Sequence, residues 1–417
     1  MQRRRPRILF VTEAITLAQV VRLLALARRL LPERYEVHFA SGSFPPWLFE
    51  STAFQKHPLF TIDGPAALAA LARGDRIYST ATLERYVADE LALLEAVQPD
   101  LVVGDFRLSL AVSTRLAGVR CASLINAYWS PYAVRERFPV PDHPIVSLVG
   151  VERAERYFPQ AMPRVFAHFA APLNAVRRRH GLREVPLLEQ LCFGDDVLYA
   201  DVPELCPVSD APSQHCYLGA VPWSPEAALP AALVAEQPAS PLVYVTLGSS
   251  GDQSALSAVL EGLEGLPLRG ILATAGRPAP ARLPSTFSYA EYVPGERVAA
   301  LACFVVTNGG SSTGYQALAA GTPVLGIPSN LDQYLAMQAI TRVGAGAQLR
   351  SASLKPAQVR RAAIQLCEDA ELRKRAGELG GALRAYDCHE RFESYLRRAL
   401  GITAIATHEE KAWSRNI

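Results

Sequence analysis

The stretch FVVTNGGSSTGYQALAAGTPVLGIPSNLDQ, Phe304 to Gln333, reads as a strand, a glycine turn, a helix, a Gly-Thr-Pro stop, a second strand and an Asp-Gln loop. Phe304, Val305 and Val306 are consecutive apolar residues, which suits a strand covered on both faces. Asn308-Gly309-Gly310 lets the chain turn sharply into a helix whose first amides point at an anion. A diphosphate fits that opening. Strand, turn, helix and strand together make one unit of a parallel α/β sheet.

The same alternation extends in both directions. Arg7 to Val11 reads as a strand, Ala18 to Leu31 as a helix by its apolar spacing, and Tyr35 to Ala40 as a second strand. Helix Thr82 to Val97, strand Asp100 to Gly104, helix Ser109 to Ala117 and strand Arg120 to Ile125 continue the pattern, which weakens between Ala127 and Ala211 apart from a helix at Met162 to His180. Pro222, Pro225, Pro230, Pro238 and Pro241 then mark a linker. A second alternation follows, with strands Leu242 to Leu247, Gly270 to Thr274 and Ser288 to Tyr292 and a helix at Ser254 to Leu263. Helices around Ala336 to Val343, Pro356 to Cys367, Ala370 to Arg384 and Glu390 to Leu400 complete it. The resulting division is 1–222, a linker at 223–241, 242–390, and a C-terminal helix and tail at 391–417 that can cross back to the first domain.

Length and composition agree with two domains. A chain of 417 residues exceeds what one core usually supports. Half the residues are hydrophobic and 20% are charged, a globular composition. A net charge of +2 gives no strong field for nucleic acid. The basic run Arg3-Arg4-Arg5-Pro6-Arg7 reads as a solvated tail. Seven cysteines without a CxxC pair read as reduced thiols, with Cys303 packing as a small hydrophobe. The N-terminus lacks the apolar core of a secretory signal, and no run approaches 18 apolar residues, so a cytoplasmic protein without an integral membrane segment is expected. Oligomeric state is not legible.

Thr307 to Gln333 resembles the signature of the GT-B glycosyltransferases of family 1, the superfamily of UDP-glycosyltransferases and bacterial macrolide and natural-product glycosyltransferases. Their pattern runs HGGxGTxxEAL, a Gly-x-Pro turn and an Asp-Gln pair; here stand NGGSSTGYQAL, Gly321-Thr322-Pro323 and Asp332-Gln333. VYVTLGSS at Val243 to Ser250, Tyr292-Val293-Pro294-Gly295, PDLVVGDF at Pro99 to Phe106 and QVVRLLALA at Gln19 to Ala27 extend the likeness over both halves. The resemblance implies an α/β GT-B fold, two Rossmann-like doubly wound domains facing a cleft. It also implies transfer of a sugar from a UDP- or dTDP-sugar to a small hydroxylated, apolar acceptor with inversion. No cofactor is implied beyond that co-substrate, and no metal.

Roles follow from the resemblance residue by residue. Ser249, Asn308, Gly309, Gly310, Ser311, Ser312 and Thr313 would hold the diphosphate; Tyr292, Val293 and Gln316 the base and ribose; Asp332 and Gln333 the donor sugar. Phe106, Tyr128 and Trp129 would meet the acceptor, the last two in an aromatic loop that fits either stacking or a lid on the core. The family's catalytic His is replaced by Gln19, which cannot take a proton at neutral pH. Asp105, acting directly or through water, and Glu13 in the adjacent loop remain as candidate bases. Asn308 and Gln316 likewise stand where the family has a His and a Glu. Asp195-Asp196 is not the Asp-x-Asp of a metal-dependent transferase and reads as a cap or solvated loop. Two alternatives stay open: a nucleotide-sugar-binding homologue with little transferase activity, motivated by the three carboxamides, and a UDP-GlcNAc 2-epimerase.

Overall fold

The computed structural model describes residues 4–50, 52–230, 233, 240–248 and 251–402. The expected phosphate contact Ser249, its neighbour Ser250, Arg3 of the basic run, Pro238 of the linker and the tail beyond residue 402 lie outside the described residues.

The first sheet contains β1 (Arg7–Thr12), β2 (Glu36–Ser41), β3 (Gln55–Pro58), β4 (Leu101–Asp105), β5 (Cys121–Ile125), β6 (Asp196–Tyr199) and β7 (His215–Tyr217). They lie in the order β3-β2-β1-β4-β5-β6-β7 and every pair is parallel. The second contains β8 (Leu242–Thr246), β9 (Arg269–Ala273), β10 (Phe287–Ala290), β11 (Ala302–Thr307), β12 (Val324–Gly326) and β13 (Gly346–Gln348). Their order is β10-β9-β8-β11-β12-β13, again parallel. Parallel strands require crossovers, so all strands of a sheet end on one edge.

Strand order reverses between β1 and β4 and between β8 and β11. Such reversals open a crevice beyond the carboxyl ends of the strands. Glu13 follows β1 and Asp105 ends β4, with Thr12 opposite Asp105 in register. In the second sheet Gly248 follows β8 and Asn308 follows β11, with Thr307 opposite Thr246. Both crevices therefore carry residues singled out from the sequence. An apolar cluster joins the two halves, running from Tyr128, Val202 and Leu205 to Tyr315 and Leu335.

Three features differ from expectation. The helix placed at Met162 to His180 spans Val151–Arg179 and contains Pro159, Pro163 and Pro172. Each proline removes one backbone bond and reads as a breaker; the helix nonetheless continues, with its first turns exposed and its core face beginning only at Ala170. Asp195-Asp196 is not a solvated loop: the Asp195 carboxylate accepts from the Cys121 amide at 2.9 Å, and Asp196 lies in β6, receiving Arg120 at 2.8 and 3.0 Å and the Tyr395 hydroxyl at 2.9 Å. Cys303 packs against the apolar cluster of the second sheet as expected, but it is only half-buried and stands beside a second thiol, its sulfur 3.8 Å from that of Cys367.

The last described helix, Cys388–Ala399, packs on the first sheet. Phe392 stands 6.0 Å from Phe10 of β1, ring centre to ring centre, and both are fully buried. Replacing Phe392 by Ala should cost about 3–5 kcal/mol in urea unfolding, the usual range for truncating a buried phenylalanine. A loss under about 1 kcal/mol would show that this helix is not part of the N-terminal core.

Candidate functional site

The turn after β11 is built by short polar side chains. Gly309 has φ +82°, and a Cβ there would stand 2.9 Å from Met337 Cγ, so only glycine fits without displacement. The Gly309 amide donates to Thr307 Oγ1 at 3.2 Å, and the Gly310 amide to Asn308 Oδ1 at 3.0 Å. Helix Ser311–Ala319 then begins, with Gly310 as N-cap and no side-chain cap. The first intrahelical amide is Gly314, donating to Gly310 at 3.2 Å. Among the described residues the amides of Ser311, Ser312 and Thr313 have no protein acceptor, which is the usual state of a helix start and the reason such starts hold anions. Gly309 and Gly310 shape the turn, while the three following amides face outward.

Across the crevice stands Arg22, which sequence reasoning passed over. Its Nε and Nη2 donate to the two oxygens of Asp105, each at 2.9 Å, and its Nη1 donates to Asn126 Oδ1 at 2.7 Å. The same Asn126 oxygen lies 3.4 Å from the Ser311 hydroxyl, which donates to it. The Asn126 amide bonds Asp201, which also receives the Tyr315 hydroxyl. One polar chain thus runs from Asp105 at the end of β4 to the first residue of the helix after β11. The guanidinium stays charged, held above its usual range by Asp105 against burial. Burial pushes the Asp105 carboxyl up and Arg22 opposes it. A signal existed in the sequence: Arg22 is the one charged residue in the otherwise apolar run that follows Gln19, from Val20 to Ala27.

The C-terminal domain matches the model of the erythromycin biosynthesis protein CIII-like C-terminal domain over residues 270–388. A PGL/p-HBAD biosynthesis glycosyltransferase of Mycobacterium tuberculosis is 46% identical over 381 residues, covering 91% of this chain and 89% of that protein. This chain belongs to the family 1 glycosyltransferases of the GT-B fold. A PGL/p-HBAD biosynthesis rhamnosyltransferase of Mycobacterium bovis is also 46% identical, over 91% of this chain and 84% of its own length. Among solved structures, the spinosyn rhamnosyltransferase SpnG complexed with thymidine diphosphate superposes with a TM-score of 0.68 at 19% identity, covering 93% of this chain and 99% of that one.

In this glycosyltransferase the other singled-out residues fall into four places. Gln19 is the third residue of helix Leu17–Arg28, and its side-chain oxygen accepts from the Ile15 and Thr16 amides, each at 3.1 Å. It closes a capping box, as its position after Thr16 allows. Gln316 donates to the Trp223 carbonyl and, at 3.3 Å, to Ser224 Oγ, so residues at the start of the linker wall off the region beside it. Tyr292 lies just past β10, half-buried, with Trp47 5.7 Å away; Val293 is buried. A cavity of about 250 Å³ opens there between Ser224–Ala227 and Pro294, Glu296 and Arg297. Exposed Asp332 accepts from the Tyr128 hydroxyl at 3.1 Å and Trp129 Nε1 at 2.7 Å, which joins the aromatic loop to the opposite domain. Gln333 is buried, its side-chain oxygen accepting from the Asn330 amide at 3.4 Å in a capping box and from the Ser329 amide at 2.9 Å. Phe106 takes φ +53°, an uncommon backbone for a non-glycine residue that re-aims the chain between Asp105 and Arg107.

Glu13 is fully buried and does not stand open to an acceptor, contrary to its reading as a candidate base. Tyr78 and Tyr86 donate to its carboxylate at 3.0 and 3.2 Å, and Arg107 lies 3.6 Å away. Arg107 also donates to Glu90 at 2.6 Å and stacks 3.4 Å from the Tyr86 ring. Among the described residues no group of three or more His, Cys, Asp or Glu is placed to hold a metal, and no helix is long and apolar enough to cross a membrane.

Burial raises the Glu13 carboxyl from 4.5 to about 7 despite the opposing pull of Arg107. Between those values the folded state keeps a proton that the unfolded state releases. Unfolding free energy should therefore fall as pH rises through this window, by about 3 kcal/mol from this group, and be insensitive to it below pH 4.5. Glu13→Gln should flatten that part of the slope in urea titrations at pH 4.5 to 7.5. An unchanged slope would assign the pH dependence elsewhere.

Proposed function

We propose that this glycosyltransferase moves a 6-deoxyhexose such as rhamnose from thymidine diphosphate to the hydroxyl of a small apolar acceptor, with inversion. The observation that carries the reading is the trio of outward amides at Ser311, Ser312 and Thr313, set at the carboxyl edge of the second sheet opposite Arg22 and Asn126. Donors fixed before substrate arrives stabilise charge on a departing diphosphate without reorganisation. The rhamnosyltransferase relative and the thymidine-diphosphate complex of SpnG support the choice of donor.

Ser311 to Thr313 hold the diphosphate, with Asn308, Gly309 and Gly310 shaping the turn beneath it. Tyr292, Val293 and Gln316 border the base and ribose, Asp332 and Gln333 the sugar, and Phe106, Tyr128 and Trp129 the acceptor. Negative charge is met by helix amides and hydroxyls, and transfer proceeds without a divalent metal. A sugar hydroxyl reaching Asp332 exchanges with Tyr128 and Trp129 as its donors, so sugar and acceptor loop compete for one carboxylate.

Proton removal is the constrained step. Gln19 has no basic site, both Asp105 oxygens are taken by Arg22, and Glu13 is enclosed. General bases typically contribute about 10² to 10⁴ in rate. An acceptor whose hydroxyl is already acidic, a phenol, dispenses with most of that contribution. The engaged carboxamide of Gln19 equally favours a second reading, a nucleotide-sugar-binding homologue without turnover.

Two measurements decide. In calorimetry, Ser311→Pro removes one outward amide at a first-turn position that follows extended Gly310 (ψ 147°), where proline is tolerated. Thymidine diphosphate should bind this variant roughly 10- to 100-fold more weakly, the value of a hydrogen bond to a charged group. Ser311→Ala, which keeps the amide, should change affinity far less; equal losses in both would remove the amides from the site. In a donor-consumption assay, thymidine diphosphate release should depend on a phenolic acceptor, exceed that with aliphatic alcohols, and survive EDTA. Binding without turnover over a broad acceptor panel selects the second reading, and activity lost to EDTA and restored by magnesium overturns metal independence.

A further inference from the structure

At the edge of the second sheet opposite the crevice, Cys303 and Cys367 meet. The ladder between β11 and β8 steps out of register between Ala302 and Phe304, which places Cys303 at the irregularity. Such bulges re-aim a side chain out of the sheet. Here the Cys303 sulfur lies 3.0 Å from the Leu242 carbonyl and 3.8 Å from the Cys367 sulfur, so its one S–H can turn to either acceptor. Cys367 occupies the last turn of helix Pro356–Glu368, and both cysteines are only partly buried. Both line a cavity of about 360 Å³, together with Pro241, Thr322, Pro323 and Arg373. Arg373 donates to the Cys367 carbonyl at 2.6 Å, which keeps its guanidinium beside this thiol.

We propose that Cys303 and Cys367 form a dithiol modification site that a peroxide entering this cavity converts reversibly to a disulfide. Cys367 is the attacking thiolate: the S–H of Cys303 and the charge of Arg373 lower its pKa, while burial and Glu368 oppose them. Cys303, its thiol pushed up chiefly by its bond to Cys367, keeps the proton. In the first step the Cys367 sulfur attacks a peroxide oxygen. The O–O bond breaks, and hydroxide leaves and is protonated to water, leaving a sulfenic acid. The Cys303 sulfur then attacks the Cys367 sulfur, the S–O bond breaks, and a second water departs with the Cys303 proton. Two thiols are oxidised and one peroxide is reduced to two waters. The other cysteines lack a paired thiol among the described residues, and Cys121, Cys206 and Cys388 are buried. The two remaining half-buried thiols, Cys192 and Cys216, are pushed up by burial and are poorer nucleophiles.

The full-length protein, exposed to hydrogen peroxide and then denatured and alkylated, tests this. Alkylatable thiols should fall from seven to five, the intact mass should drop by two hydrogens, and peptide mapping should find Cys303 joined to Cys367. Dithiothreitol should restore all seven. Cys303→Ser and Cys367→Ser should each abolish the cross-link, Cys216→Ser should leave it, and Arg373→Gln should slow its formation. Thymidine diphosphate titration of the oxidised protein should be unchanged, since the site lies at the far end of β11 from the turn, which keeps this result independent of the transfer reading. Seven alkylatable thiols after a dose that oxidises free cysteine completely, a cross-link to any other cysteine, or irreversible oxidation of Cys367 beside an unreacted Cys303 would each overturn the proposal.

Discussion

An arginine and an aspartate withdrawn from water must satisfy one another, and the Arg22–Asp105 pair does so with two parallel bonds while their side chains are only 14% and 2% exposed. Removing two charges from water is costly, and only good geometry with further bonds offsets it. The third nitrogen supplies those further bonds through Asn126, which ties the pair to Ser311 in one direction and to Asp201 and Tyr315 in the other. The consequence is positional. The floor of the crevice is fixed from both domains by one connected set of polar groups, and the acid at the end of β4 serves as an anchor for that set.

The architecture was legible where a pattern is long and local. The turn after β11, the helices near both crevices and the buried strands β1, β4, β5, β8 and β11 follow from apolar runs and glycine placement. What escaped were strands of three or four residues, β3, β6, β7 and β13, too short to show a period. The helix Val151–Arg179 was cut short because its prolines are local signals against helix, overridden by the surrounding fold.

The site was legible as a set of positions and less so as a set of bonds. Nothing local distinguishes a glutamine that reaches for a phosphate or a hydroxyl from one that caps its own helix; Gln19 and Gln333 both stand at the third helical position, where capping boxes form. Glu13 directly follows the apolar strand β1, but its enclosure depends on Tyr78, Tyr86 and Arg107, brought together only by the crossovers. Arg22 lies in a helix recognised by its apolar spacing alone. Its partner lies 83 residues away, and sequence spacing carries no trace of that meeting.

The helix Cys388–Ala399 places residues from the chain's far end in the core of the first half, against Phe10 and Asp196. During synthesis on the ribosome, the first sheet is therefore complete at Tyr217, well before the segment from Cys388 that finishes its apolar surface. A multidomain chain ordinarily matures from its beginning onward. Here the opening half waits for residues 388–399, and a stop upstream of Cys388 leaves the apolar face of the first sheet uncovered.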